Sequence, residues 1–411
     1  MNVLISGFYG SGNTGDEAIL SSIVQTFKKN YSEVNITVLS LYPDKVEENH
    51  DVEALYRPNF GPKWFKTEYR KTIQTLRDAD FLLIGGGGLL QDAHSHISIV
   101  RYLQTAVLAE WIGTPTVYYA VGVGPIDHPL NRFLVRKVRE LSSDIIVRDE
   151  DSKQRLEDID VTKDVRVSAD PAFAMDAANN QRIENILSKE NIPENKELIG
   201  VSVRDFGLDH PKIVDIAQFL DELADQNSHI IFIPFGYEAK PSDSETSLRV
   251  KEEIDTSESV TLLQNRYQPE ELFGLVGELD FIIGIRLHSI IMGSAQKVPV
   301  LGISYLPKVK NVLYRIGYDE SQMIKELDEC TLENLKTAHE HIQREMQAGS
   351  TVPSTERINE LRRSAQNLPA SLDGNSEQQQ RNLHLVLTSI LFVFSTTVLT
   401  VQECVRILTQ D

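Results

Sequence analysis

The chain has 411 residues, 41% of them hydrophobic and 25% charged, which is material for two domains with their own cores rather than for a disordered polymer. Lys+Arg 41 against Asp+Glu 60 gives a formal charge of −19, so no nucleic acid or anionic lipid surface is expected as a partner of the whole surface, and a small anion needs a local basic pocket. The two cysteines, Cys330 and Cys404, have no paired spacing, so neither a disulfide framework nor a zinc site is indicated and no metal is expected.

In chain order, the N-terminus lacks the basic start of a signal peptide and runs from Asn2 to Ser6 straight into a glycine loop. It reads as a first strand, and the body of the protein is expected to be cytoplasmic. The loop Gly7 to Gly15 leads into Asp16-Glu17 and the apolar pattern Ala18, Leu20, Ile23, Val24, Phe27 of an amphipathic helix. Gly10, Gly12 and Gly15 match G-x-G-x-x-G, but the second strand, Asn35 to Leu39, ends without the acidic ribose ligand of a dinucleotide fold. A Walker A loop fails too, because Asp16 and Glu17 stand where Lys and Ser/Thr hold phosphate and metal. Two readings stay open. Either the glycines make a tight turn with Asn13 or Asp16 capping the helix, or Asp16 contacts an uncharged, hydroxyl-rich ligand.

The buried strand Asp80 to Ile84 delivers Gly85-Gly86-Gly87-Gly88, which lets backbone approach a ligand or lets two loops pass closely. Pro115 to Val121 leads into Gly122-Val123-Gly124-Pro125, and Ile145 to Val147 leads into Arg148-Asp149-Glu150. Taken alone, Arg148 reads as a surface ion pair with Asp149 or Glu150. Strands that end in glycine or charged loops build a ligand site at the carboxyl edge of a parallel sheet. After Asp170-Pro171 a polar stretch marks a boundary, and the pattern restarts with Leu198 to Val203 into Arg204, then His229 to Ile233 into Pro234-Phe235-Gly236. Val260 to Leu263 and the helix signal at Pro269-Glu270-Glu271 follow. Phe281-Ile282-Ile283 then runs into Gly284-Ile285-Arg286-Leu287-His288-Ser289, and Val298 to Ile303 into Tyr305-Leu306-Pro307-Lys308. The expected fold is α/β, two Rossmann-like domains facing across a cleft. Residues 1–178 form the first, 179–330 the second, 331–366 closing helices, and 367–411 a polar linker and apolar tail.

The ordered set of the loop Asn13 to Glu17, Gly85 to Gly88, Gly122 to Pro125, Arg148-Asp149, Asp170-Pro171, Arg204, Arg286-Leu287-His288 and Tyr305 to Lys308 resembles the polysaccharide pyruvyl transferase family over nearly all of residues 1 to 330. The resemblance implies a fold similar to glycosyltransferases of the B type, with the acceptor on the N-terminal side and the donor on the C-terminal side. It further implies transfer of pyruvyl from phosphoenolpyruvate, a co-substrate with no other cofactor, to two hydroxyls of a cell-surface polysaccharide sugar or its lipid-linked precursor. The products are a cyclic ketal and phosphate.

The chemistry accounts for the residue types in its own right. Phosphoenolpyruvate carries a carboxylate and a phosphate, so in a chain of charge −19 it needs convergent cations, and Arg148, Arg204, Arg286 and Lys308 stand at strand ends. Protonation of the enol methylene carbon requires a group that titrates near neutrality. His288, opening a helix, is the candidate, and Asp16 would orient or deprotonate the acceptor. Asn13, Gly15, Gly86, Gly87 and Gly124 are the expected acceptor or cleft-loop positions. Leu306 stands where relatives with a Tyr-Asp-Pro-Lys type loop carry an acid, which bears on acceptor choice. From Asn382 to Gln402 no Asp, Glu, Lys or Arg occurs, so 383–401 is a candidate membrane contact, with docking on the body as the other reading. Two other functions share the architecture: a nucleotide-sugar glycosyltransferase and a non-enzymatic sugar-binding protein.

Overall fold

The computed structural model describes residues 1–58, 67–93, 95, 97–162, 164–205, 208–224, 227–238, 240–350, 352–369 and 372. Two all-parallel sheets organise them. The first contains β1 (Asn2–Ser6), β2 (Asn35–Ser40), β3 (Glu53–Tyr56), β4 (Phe81–Gly85), β5 (Thr116–Val121), β6 (Asp144–Val147) and β7 (Val165–Val167), in the order β3-β2-β1-β4-β5-β6-β7. The second contains β8 (Glu197–Ser202), β9 (Ser228–Phe232), β10 (Val260–Leu262), β11 (Phe281–Gly284), β12 (Val300–Ile303) and β13 (Met323–Ile324), in the order β10-β9-β8-β11-β12-β13. Both orders reverse direction once, beside β1 in the first sheet and beside β8 in the second. In open parallel sheets ligands bind outside the carboxyl ends at such a switch point.

The central strands are continuous apolar runs because helices cover both faces of a parallel sheet. Every residue of β4, β5, β9, β11 and β12 is buried. In the first sheet Leu4, Leu39, Leu82, Tyr118 and Ile145 share one core cluster with Leu103 and Ala106 of the helix Ile97–Ile112. Burying side chains of this size stabilises by about 1.5–3 kcal/mol each. In the second sheet Ile283 of β11 pairs with Val201 of β8 and Leu301 of β12, which sets the ends of the three strands level.

The chain forms two compact units. Met1–Ser11 and Thr26–Asp170 belong to the first, Gly12–Gln25 and Pro171–Gln366 to the second. Gly12–Gln25, expected within the domain 1–178, is bound into the second unit by hydrogen bonds. Thr14 N donates to Phe235 O at 2.8 Å, Ser22 Oγ donates to Pro171 O, and Gln25 Oε1 accepts from Asp176 N at 2.8 Å. The expected closing helices are Leu332–Gln347 and Thr355–Gln366, and Arg362 of the latter donates to Phe173 O at 3.2 Å. The stretch 383–401 lies outside the described residues. Among the described residues no helix is long and apolar enough to cross a membrane.

Candidate functional site

In the second unit, β11 ends at Gly284 and the chain turns through Ile285, whose N–H donates to Ser202 O at 2.8 Å, into Arg286. Arg286 is the extended N-cap of the helix Leu287–Ala295, so His288 sits in its first turn. Free N–H groups of a first turn favour anions. The Arg286 guanidinium is not a surface charge. Its Nε and Nη2 donate to the two oxygens of Asp243 at 2.8 and 2.5 Å, and the Asp243 side chain is 1% exposed.

Asp243 also accepts from the backbone N–H groups of Phe235 at 3.0 Å and Gly236 at 2.7 Å. One carboxylate thus holds the loop after β9 and the cation after β11. That loop in turn holds the first glycine loop. Asn13 and Gly236 form an antiparallel bridge, flanked by the Thr14-to-Phe235 bond and by Tyr237 N donating to Gly12 O at 3.3 Å. Gly236 is needed because a Cβ there would strike Nη2 of Arg286.

The same packing explains Gly15. A Cβ on Gly15 would fall on Nδ1, Cγ and Cε1 of His288, so the backbone at 15 lies directly against the imidazole. Asn13 shapes this approach. Its Oδ1 accepts from Gly15 N at 3.1 Å and its Nδ2 donates to Asp16 Oδ2 at 2.6 Å, so Asn13 caps the helix Thr14–Asn30 and fixes the Asp16 carboxylate. Asp16 is buried. The structure therefore brings Asn13, Gly15, Asp16, Arg286 and His288 into one constellation within one unit.

Arg204, just after β8, donates from Nη1 to the Tyr305 hydroxyl at 3.0 Å, with its guanidinium carbon 5.4 Å from the ring centroid. Lys308 Nζ lies 6.0 Å from the same centroid. Lys308 occupies the first turn of the helix Pro307–Ile316, which carries no acid there. A cation at a helix N-terminus is electrostatically unfavourable until an anion joins it. Tyr305 with its two flanking cations is the second cluster of this unit.

The first unit holds the other expected positions. Arg148 Nε donates to Asp149 at 3.1 Å, and Nη1 is 3.6 Å from Asp170, whose side chain is 4% exposed. Its charge is therefore answered by two carboxylates. Gly122 makes room for it, since a Cβ there would meet the guanidinium carbon at 2.7 Å. Gly86, Gly87 and Gly124 belong to a clasp between the loop after β4 and the end of β5 with the loop that follows it. Gly86 N donates to Tyr119 O, Gly122 N to Gly87 O and Gly124 N to Leu90 O at 3.0, 2.7 and 3.0 Å. Gly86 and Gly87 have φ of 69° and 76°, a conformation natural to glycine. The tight approach of these two segments is what these glycines provide in the structure.

A cavity of about 650 Å³ opens at the other edge of this sheet, lined by Asn2, Asn35 and Glu53 where β1, β2 and β3 begin. It is remote from the carboxyl-edge loops of the same unit. Among the described residues no group of three His, Cys, Asp or Glu side chains could hold a metal ion. Sequence reasoning missed Asp243 and Tyr305 as site residues. Ser242 and Glu245 form a capping box that marks the helix start around Asp243, but nothing local points from it to Arg286.

The sequence pattern of the polysaccharide pyruvyl transferase family matches residues 13–307. AmsJ of Erwinia amylovora, an amylovoran biosynthesis protein, is 21% identical over 370 residues, covering 78% of this chain and 87% of the relative. Among solved structures, the UDP-GlcNAc 2-epimerase of Methanocaldococcus jannaschii superposes with a TM-score of 0.60 at 13% identity, covering 88% of this chain and 98% of that one. Anabaena Alr3699/HepE in complex with UDP and glucose gives 0.54 at 14%, covering 96% and 100%. At such identities the likeness is one of fold, that of B-type glycosyltransferases and epimerases.

Proposed function

The chain belongs to the polysaccharide pyruvyl transferase family, and from that premise we propose that it moves pyruvyl from phosphoenolpyruvate to two hydroxyls of a polysaccharide sugar or its precursor. A proton added to the methylene carbon makes C2 electrophilic, and a first sugar hydroxyl adds there and loses its proton. Cleavage of the C2–O bond releases phosphate, and a second hydroxyl closes the ketal. Of the two hydroxyl protons, one is balanced by the new methyl hydrogen and the other leaves with phosphate.

In this reading His288 carries the proton to carbon, and Arg204, Tyr305 and Lys308 bind the donor's anionic groups. Arg286 contributes Nη1, the guanidinium nitrogen that Asp243 does not use. Arg148 has the smaller part in donor binding, because its charge is already compensated. Asp16 orients or deprotonates the acceptor. The observation that carries the reading is the seating of the Asn13–Asp16 loop on the His288 imidazole, which joins residues from opposite ends of the family-matched region. The test is direct binding of phosphoenolpyruvate beside UDP- and GDP-sugars, with phosphate release measured on a panel of hexosides with free hydroxyls. Binding and turnover of phosphoenolpyruvate are expected. Tight nucleotide-sugar binding without phosphoenolpyruvate turnover would instead make the chain a glycosyltransferase.

A further inference from the structure

Arg57 follows β3 in the first unit and is 5% exposed. Its backbone N–H donates to Ser40 O at 2.9 Å, and its guanidinium carbon lies 4.6 Å from the centroid of the Tyr102 ring. Among the described residues the guanidinium takes up no carboxylate and no hydrogen bond. This sets it apart from Arg148 and Arg286, whose charges are matched by buried aspartates. A buried cation without a counter-charge is costly, and stacking on an aromatic ring offsets only part of that cost.

The carboxyl ends of three neighbouring strands, β3 among them, carry further features. Nine large hydrophobic side chains are exposed among the described residues, and four of them, Phe8, Leu41, Tyr42 and Tyr56, lie at or just past the carboxyl ends of β1, β2 and β3. Lys45 Nζ stands 5.4 Å over the Tyr42 ring. Ser6, the last residue of β1, is fully buried, and its Oγ has no hydrogen-bond partner among the described residues. Two-residue alternation puts Ser6 on the sheet face of Leu4, and Arg57 on that of Leu55; both leucines belong to the same core cluster. Exposed aromatic faces suit the C–H face of a sugar ring, and a guanidinium suits a carboxylate or phosphate.

We propose that the carboxyl edge of β1, β2 and β3 binds a sugar that carries an anionic group, with Arg57 as the residue that selects for the charge. This rests on reading the chain as a transferase with a sugar acceptor. It names the class of that acceptor: a uronic acid or a sugar phosphate rather than a neutral glycan end.

The test is equilibrium binding to the full chain, without phosphoenolpyruvate, of glucuronic acid, glucose 1-phosphate, glucose and inorganic phosphate. At least one charged sugar should bind about ten-fold or more tighter than both glucose and phosphate. Which one it is separates carboxylate from phosphate. Arg57→Gln should erase the preference, and Arg57→Lys should keep part of it. Tyr42→Ala should weaken every sugar and leave inorganic phosphate unchanged. Unliganded Arg57→Gln should melt no lower than wild type, because it removes an uncompensated charge. Charge preference unchanged in Arg57→Gln, or phosphate alone binding as tightly as the charged sugars, overturns the proposal. If Arg57→Gln does not fold, Arg57→Lys decides, since a preference unaltered from wild type would rule out the guanidinium. Because no donor is present, failure here is distinct from failure of phosphoenolpyruvate turnover.

Discussion

Asp243 and Arg286 form a two-point ion pair at 2.8 and 2.5 Å across 43 residues of chain, and the same carboxylate holds the N–H groups of Phe235 and Gly236. The aspartate is therefore the joint between two strand-end loops. Asp243→Asn keeps the shape but removes the charge, leaving Arg286 nearly buried and unmatched. It should destabilise the protein by about 3 kcal/mol in urea unfolding. Combined with Arg286→Met, the total should fall short of the sum of the single changes by at least about 1 kcal/mol. Simple additivity would mean that the pair is not coupled.

Gly15 is required for room rather than for a left-handed backbone, since its own Cβ position is filled by His288. Gly15→Ala should cost about 1–3 kcal/mol, as overpacking does. In a His288→Ala background the cost should drop below about 1 kcal/mol. An equal cost in both backgrounds would place the clash elsewhere.

Donor affinity should follow the state of each cation. Arg204→Met and Lys308→Met should each weaken phosphoenolpyruvate binding by about ten-fold in titration calorimetry, the loss of one charge-assisted contact. Arg148→Met should weaken it less, because Asp149 and Asp170 already face that guanidinium. A larger effect at Arg148 than at Arg204 would reverse the assignment.

His339 packs edge-on against the rings of Phe219 and Phe281, at 5.7 and 4.9 Å, and burial holds its pKa below the ordinary imidazole value. Burial shifts His229 the same way. The unfolded chain takes up these protons below about pH 6.5 while the folded chain resists them, so stability is full above that pH and declines as pH falls beneath it. Glu190 and Asp221, with lowered pKa values, add their losses only below about pH 4.5. The urea midpoint should fall between pH 7.5 and 5.5, and His339→Phe should remove part of that fall. A His339→Phe variant with the full wild-type slope would exclude this histidine as a cause.

The interior strands were legible because a buried parallel strand is an unbroken apolar run: β4, β5, β9, β11 and β12 all stand where such runs occur. The strands that sequence reasoning missed, β3, β7 and β13, are short and lie on sheet edges. Glu53 and Arg166 interrupt the pattern of the first two with charge. Arg286 and His288 were legible as a strand-end pair, but their surroundings were not. Asp243 acts on Arg286, and Gly15 abuts His288, through contacts distant in sequence that no local periodicity encodes. The attachment of Gly12–Gln25 to the second unit was hidden for the same reason, since its hydrogen bonds reach residues more than 140 positions away. The loop Gly85 to Gly88 could be read as ligand-facing or loop-facing, and only the bonds to Tyr119 and Gly122 show the second.

The central claim is that His288 moves the proton that starts pyruvyl transfer. The most direct measurement is phosphate release in a single turnover by His288→Ala, set beside its equilibrium affinity for phosphoenolpyruvate. The expected result is phosphate release at least about 10²-fold slower, with donor affinity within about three-fold of wild type, the signature of a lost general acid. Wild-type release, or release that falls only as far as donor affinity falls, would contradict the claim and leave His288 a ligand for the donor.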